Sequence, residues 1–298
     1  MQPDARRARL LRLATTASVA TAAMLVAAKL GAWLLTGSVS LLASLVDSMM
    51  DVLASAVNLA AVRWSLLPPD EEHRFGHGKA EALAGLGQAA FIAGSALFLL
   101  FHVIDRLLNP QPLEHLAVGL GIMAFSMVAT ALLIGFQRYV IRHTGSLAIR
   151  ADSLHYLSDL LTNAGILLAL GLVLAGWAWA DPLIGLAVAA YILWSAIRIG
   201  LDGIDVLMDR ELPAEDQERI VAIASATPGV LGVHDVRTRQ SGATRFIQLH
   251  LELPADLRLA ESHALVSRVQ AALLQAFPDA DVMIHQDPVA PDRRPVSG

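Results

Sequence analysis

The sequence predicts a membrane-embedded all-α domain of six helices, followed by a small α+β domain with the element order αββαβ. Three observations carry this prediction. Of the 298 residues, 55% are hydrophobic and only 16% charged, with a mean hydropathy of +0.54, whereas charged residues make up about a quarter of an ordinary soluble domain. The apolar residues are concentrated before about Leu201, and the chain after Asp209 has normal soluble composition. The apolar part is divided into runs near the ~20 residues that a helix needs to cross the hydrocarbon core. The expected organisation is a six-span membrane domain over residues 1–208, a soluble domain over 209–290 and a tail over 291–298.

The runs fall at 11–35, 39–62, 83–108, 114–137, 147–175 and 181–201. Basic residues precede the first, as in a signal peptide, but the apolar stretch continues past Leu35 and is too long for a signal h-region. It is therefore read as the first span. Gly37 and Ser38 predict a tight turn before the second span, and Asn109-Pro110-Gln111-Pro112 breaks the chain between the third and fourth. Arg6, Arg7, Arg9 and Arg12 precede span one; Arg63, Arg74 and Lys79 lie between spans two and three; Arg138, Arg142 and Arg150 lie between four and five. The opposite loops offer little beyond Arg106, so both termini are expected on the cytoplasmic side. Lys29, towards the far end of span one, is expected to snorkel to that interface.

After Asp209 the periodicity changes. PAEDQERIVAIASA reads as an amphipathic helix with acids in its first turn. GVHDVRTRQ and TRFIQLHLEL read as strands, with Phe246, Gln248, His250 and Glu252 alternating with Ile247, Leu249, Leu251 and Leu253. LAESHALVSRVQAALLQAF is a second helix and ADVMIHQDP a third strand, which suits an open sheet with helices on one face.

The net charge of −5, with no basic stripe, argues against a nucleic-acid partner. Cysteine is absent, so a metal site must be built from nitrogen and oxygen donors. Such donors stand out in three places. Asp47 and Asp51 lie in span two, where each carboxylate near mid-bilayer costs roughly 2.5–3.5 kcal/mol; the spacing of four puts them on one helix face. Span five holds His155 and Asp159 at the same spacing. Together the two helices offer four O/N ligands at membrane depth, a tetrahedral set of the type Zn2+ favours. The loop between spans two and three carries Asp70, His73 and His77, a three-ligand set on the cytoplasmic side. The soluble domain holds His234, His250 and His263, and then His285-Gln286-Asp287 on the last strand; this cluster suits one or two divalent cations.

Enzymatic readings are disfavoured. A zinc protease of the H-E-x-x-H type is excluded by the absence of that motif, and no paired Ser or Cys nucleophile stands out. The alternative function is a membrane-anchored divalent-metal sensor, but a mere anchor has no use for four ligands at mid-membrane, where each charge is costly.

The paired motifs of spans two and five, together with the FGHGKAE string from Phe75 to Glu81, resemble the cation diffusion facilitator family, in particular its bacterial zinc/ferrous-iron efflux branch. The resemblance covers nearly the whole chain. It implies a homodimeric divalent-cation/proton antiporter in the bacterial inner membrane, with a ferredoxin-like, metallochaperone-like cytoplasmic domain. Residue by residue it implies a transport site of Asp47, Asp51, His155 and Asp159 and a loop site of Asp70, His73 and His77. In the cytoplasmic domain it implies a paired site of His234, His250, His263, His285 and Asp287, with Gln286 as an additional ligand. Lys79 and Asp209 match a charge pair that helps hold the dimer in relatives. Zn2+ is the expected cargo and structural ion; Fe2+, Cd2+, Co2+ and Mn2+ are chemically compatible with the same donors.

Overall fold

The computed structural model describes residues 3–36, 39–108, 120–175, 177 and 179–290. The turn expected at Gly37–Ser38, the break at Asn109–Pro112 and the tail 291–298 lie outside the described residues. The chain divides into two compact units, Met1–Ile204 and Asp205–Gly298.

Among the described residues the first unit is built from six long helices: α1 (Pro3–Thr36), α2 (Val39–Ser65), α3 (Lys79–Leu108), α4 (Leu120–Thr144), α5 (Leu147–Leu174) and α6 (Ala180–Leu207). Five of them contain a stretch long and apolar enough to cross a membrane: Ala5–Leu35, Ser44–Ser65, Lys79–Phe101, Gly121–Thr144 and Pro182–Leu207. Helices α1 and α6 run beyond the apolar stretches read from the sequence, because a helix needs no break where the hydrocarbon ends. The sixth helix, α5, has 28 residues, about 42 Å at 1.5 Å per residue. It carries Arg150, Asp152, His155 and Asp159, and it turns this polar load inward: from Ala148 to Tyr156 only Arg150 is exposed.

Large apolar side chains such as Leu35, Phe98, Leu132 and Trp194 are exposed on these helices. That inverts the pattern of a soluble bundle and is what a helix facing lipid requires. Inside, small residues let the backbones approach. Ala89 and Ala96 of α3, Ala151 of α5 and Ala196 of α6 pack with Ile92, Leu154, Ile192 and Ile199 in one core. Gly185 of α6 is so close to α3 that a Cβ there would lie 2.7 Å from Val103 Cγ2.

The second unit contains α7 (Ala214–Ser225), β1 (Gly232–Ser241), β2 (Thr244–Pro254), α8 (Leu259–Ala276) and β3 (Ala280–Val289). The sheet order is β1-β2-β3, with β1 antiparallel to β2 and β2 parallel to β3. The parallel pair requires a crossover, which α8 supplies. Gly242 opens the two-residue β1–β2 turn with φ 60°, while Ala243 keeps a negative φ, as in a type II′ hairpin.

Alternation along β2 decides what each face of the sheet does. Ile247, Leu249, Leu251 and Leu253 point to one face and form a core with Ile220 and Ala224 of α7 and with Leu265, Val269 and Leu273 of α8. The other face receives the polar partners of the same strand. Leu249 is 1% exposed, so Leu249→Ala is expected to cost about 2–5 kcal/mol through lost burial and a residual cavity. Hydrogen exchange on the full chain checks this: the β2 amides should exchange faster in the variant.

Candidate metal centres

Three groups of metal-competent side chains come together among the described residues: Asp51, His155 and Asp159; Asp70, His73 and His77; and His234, His250 and Asp287. In each group one ligand atom per residue lies within 4.8 Å of the others.

The membrane group joins α2 to α5. His155 Nε2 lies 3.0 Å from Asp51 Oδ1, and these two residues are only 7% and 8% exposed. Asp159, one turn along α5 from His155, is half-buried. Asp47 shares the helix face of Asp51 but is exposed, and it is not a member of the three-residue group. The imidazole is boxed by rings, with Phe91 at 6.1 Å and Tyr156 edge-on at 5.5 Å between centroids. An apolar cleft of about 470 Å³ between α2 and α3 runs from Met50, beside Asp51, to Trp64 and Ala80.

The orientation of α5 is set by groups that the sequence reading passed over. Asp152, one turn before His155, is fully buried. Its Oδ2 accepts hydrogen bonds from Ser18 Oγ of α1 at 2.5 Å and Gln137 Nε2 of α4 at 2.8 Å; its Oδ1 accepts from Gln88 Nε2 of α3 at 3.2 Å. Tyr156 donates to the Ser18 carbonyl at 3.1 Å and pairs with Ser55 Oγ of α2 at 2.8 Å. At the start of α5, Glu81 accepts from the Leu147 backbone N–H at 3.1 Å and from Arg7 Nη2 at 3.1 Å. A buried carboxylate at a helix N-terminus also complements the helix dipole. The one available signal for Asp152 was its being an ionisable residue inside a span.

Lys29 departs from the snorkelling expected of it. Its Nζ donates to Ser48 Oγ at 2.6 Å and to the Ser44 carbonyl at 3.1 Å, so the ammonium is turned onto α2.

In the loop, Asp70 Oδ1 accepts from the backbone N–H of His73 at 2.6 Å and of Glu72 at 3.0 Å. These bonds, that of His73 foremost, hold the Asp70 carboxyl below its ordinary pKa. The carboxylate reaches His73 Nδ1 at 3.4 Å and His77 Nε2 at 3.3 Å. His77 is 7% exposed, lies 5.8 Å from the Trp64 ring and has a buried Nδ1 without a hydrogen-bond partner. Gly76, at φ 78°, supplies the left-handed turn that leads into His77, and a Cβ there would stand 3.7 Å from Pro69 Cγ.

In the second unit the strand register aligns His234 with His250 and His250 with His285, so three histidines stand abreast on the face opposite the helices. Asp287 Oδ2 is 2.8 Å from His250 Nδ1 and 3.3 Å from His234 Nε2, while its Oδ1 is 3.4 Å from His285 Nε2. Two residues named with them stand apart. Gln286 alternates to the opposite face and accepts a short bond from Ser262 of α8; His263 is exposed on α8 and joins none of the three groups. Conversely, a bulge between His234 and Arg237, with Asp235 at φ 47°, brings the Asp235 carboxylate to 3.6 Å from His250 Nε2. Strict alternation would have put Asp235 on the far face.

The charge pair expected between Lys79 and Asp209 involves both units. Within its own unit, Asp209 has φ 59° and lies 3.4 Å from Arg239 Nη1; Lys79 begins α3.

Comparison with known proteins identifies the family of the chain. Residues 15–208 match the cation efflux transmembrane domain, and residues 212–289 match the cation efflux protein cytoplasmic domain. The chain is 51% identical over 280 residues to the cation-efflux pump FieF of Klebsiella pneumoniae subsp. pneumoniae, covering 94% of this chain and 93% of that one. It is 50% identical to the pump of the same name from Salmonella choleraesuis, with the same coverage. Among solved structures, the Zn form of CzrB is 36% identical, spanning 29% of this chain and 99% of the other at a TM-score of 0.27. The protein is thus a multi-pass membrane transporter rather than an enzyme, and it belongs to the cation diffusion facilitator (cation efflux) family.

Proposed function

We infer that this chain exports Zn2+ from the cytoplasm in exchange for protons, working as a homodimer in the inner membrane of a bacterium with both termini cytoplasmic. The observation that carries the reading is the 3.0 Å approach of His155 Nε2 to Asp51 Oδ1 from two different helices, with Asp159 beside them. At that distance the nitrogen and oxygen share a hydrogen. A divalent ion ligated by both atoms requires the same place and the lone pair of a neutral imidazole, so cation and proton compete for one centre. Imidazole changes charge near neutral pH, which makes the competition effective in a cell. Asp47, on the same helix face, is assigned as the fourth ligand and completes a set of three carboxylates and one imidazole suited to Zn2+. Fe2+, Cd2+, Co2+ and Mn2+ are accepted to the extent that their geometric preferences tolerate this set. Movement of the helices, exposing the centre to one side and then the other, converts the proton gradient into cation efflux.

Asp70, His73 and His77 hold a cation at the loop. His234, His250, His285 and Asp287 hold one or two in the cytoplasmic domain, where the two oxygens of Asp287 face different histidines. Zn2+ there supplies a crosslink between strands, and Lys79 with Asp209 supports the dimer.

The test is Zn2+ flux through the purified full-length protein in sealed proteoliposomes with an imposed pH gradient. Lowering the pH on the loading side adds protons to the ligands and is expected to slow flux steeply. A flux indifferent to pH on that side overturns proton exchange.

A further inference from the structure

The polar face of the second unit's sheet is a grid of two rows. Across the first row stand His234, His250 and His285; across the second stand Gly232, Glu252 and Asp287, by the β1–β2 and β2–β3 registers. Five of the six places are accounted for by ligands or by a glycine. The sixth, Glu252, is the one carboxylate of the grid with no assigned task.

Its situation is costly. Glu252 is 7% exposed, and its Oε2 is buried without a hydrogen-bond partner. A buried, unpartnered carboxylate oxygen demands an explanation, and an ion is one of the few available. Its other oxygen, Oε1, lies 3.8 Å from His234 Nε2; that nitrogen is itself 3.3 Å from Asp287 Oδ2. Ligand atoms at about 2.0–2.1 Å from a tetrahedral Zn2+ are separated from one another by roughly 3.3–3.4 Å; Glu252 stands outside the group of His234, His250 and Asp287 whose ligand atoms lie within 4.8 Å of one another, so its carboxylate joins them by turning further toward His234. Gly232 makes the arrangement sterically possible: a Cβ there would stand 2.5 Å from Glu252 Oε2.

We propose that Glu252 is a metal ligand of the cytoplasmic centre, closing the set of His234, His250 and Asp287 into a four-coordinate site, and that Gly232 is the residue that leaves room for it. Three ligands leave a divalent ion with an open position, as in catalytic sites, whereas structural sites are closed by four. Two imidazoles and two carboxylates also bring the site to neutrality around a divalent ion. The inference rests on the reading that this cluster binds metal, and the experiment separates the two.

Zn2+ stoichiometry and affinity are measured by equilibrium dialysis on the full-length protein in detergent, with the Zn2+-induced rise in melting temperature as the second readout. Asp51→Ala serves as the background, so that the membrane centre does not contribute. Glu252→Gln is expected to weaken the cytoplasmic site by at least about 10–100-fold and to shrink the Zn2+-induced rise, while the melting temperature in chelator stays level or increases, because an unpaired buried charge has been removed. Gly232→Ala, which leaves every ligand in place but crowds Oε2, should reproduce the weakening. Asp287→Ala should abolish the site. If Asp287→Ala abolishes it while Glu252→Gln and Gly232→Ala bind as the background does, Glu252 is no ligand. If Asp287→Ala also binds as the background does, the metal reading of the cluster itself is overturned.

Discussion

Asp51→Ala is expected to reduce gradient-driven Zn2+ flux to the level of protein-free vesicles. Asp51 Oδ1 lies 3.0 Å from His155 Nε2, and its removal takes one of the three side chains that the structure gathers between α2 and α5. Loss of a residue that only orients a ligand costs 10–100-fold in metal affinity, so loss of a ligand costs more than about 100-fold. The substitution also leaves the His155 ring nitrogen without its acceptor in a buried setting, which further disfavours the ordered site. The measurement is flux in proteoliposomes at matched protein incorporation, with Zn2+ binding by the detergent-solubilised protein as its companion. Flux that survives the substitution places the permeation route elsewhere in the bundle.

Asp152→Ala is expected to be the most destabilising single change in the membrane unit. It removes the acceptor of hydrogen bonds from Ser18, Gln88 and Gln137, three donors on three different helices. A buried donor left unsatisfied costs about 1–3 kcal/mol, and breaking a buried charged network by deleting one partner costs about 3–5 kcal/mol. A total loss of about 3–5 kcal/mol is expected, since Gln137 retains its bond to Ser18 Oγ at 3.0 Å. Thermal unfolding in detergent should show a markedly lower midpoint, and Asp152→Asn, which keeps an acceptor oxygen, should recover part of it. A midpoint unchanged by Asp152→Ala shows that the network contributes nothing net to stability.

The membrane group of candidate ligands was legible because two physical rules act on the same residues. Carboxylates and imidazoles are scarce in apolar spans because they are costly, and a spacing of four places them on one helix face. That reasoning reaches Asp51, His155 and Asp159 without coordinates. It does not show that Asp47 stands exposed while Asp51 is buried, since the rotation of α2 against α5 follows from tertiary packing. In the soluble unit, alternation was read correctly along β2, and it placed His250 and Glu252 on one face. Its consequence for Glu252 depends on Gly232 lying opposite, which is a matter of register. The same rule separates Gln286 from His285 and Asp287, although the three are contiguous in sequence. Asp235 lay beyond such reasoning, because it reaches the histidine face only through a bulge and a left-handed backbone, and neither is encoded by a periodicity. Asp152 was visible as an intramembrane acid, but its partners Ser18, Gln88 and Gln137 are residue types that ordinarily signal nothing inside a helix.

The position of Glu81 has a bearing on how this protein tolerates insertion and exchange of its segments. The stretch joining α2 to α3 has the makeup of a surface connection, the kind of place where homologous chains usually vary in length. Here it ends in a carboxylate that holds the first turn of α5 and the guanidinium of Arg7. His77 lies only four residues before it, in the same run of sequence. A chimera that replaces this connection must therefore carry Glu81 over with its spacing to His77 intact. Lengthening between them is expected to move Glu81 away from the first turn of α5, so the connection acts as a structural part of the bundle rather than as its trim.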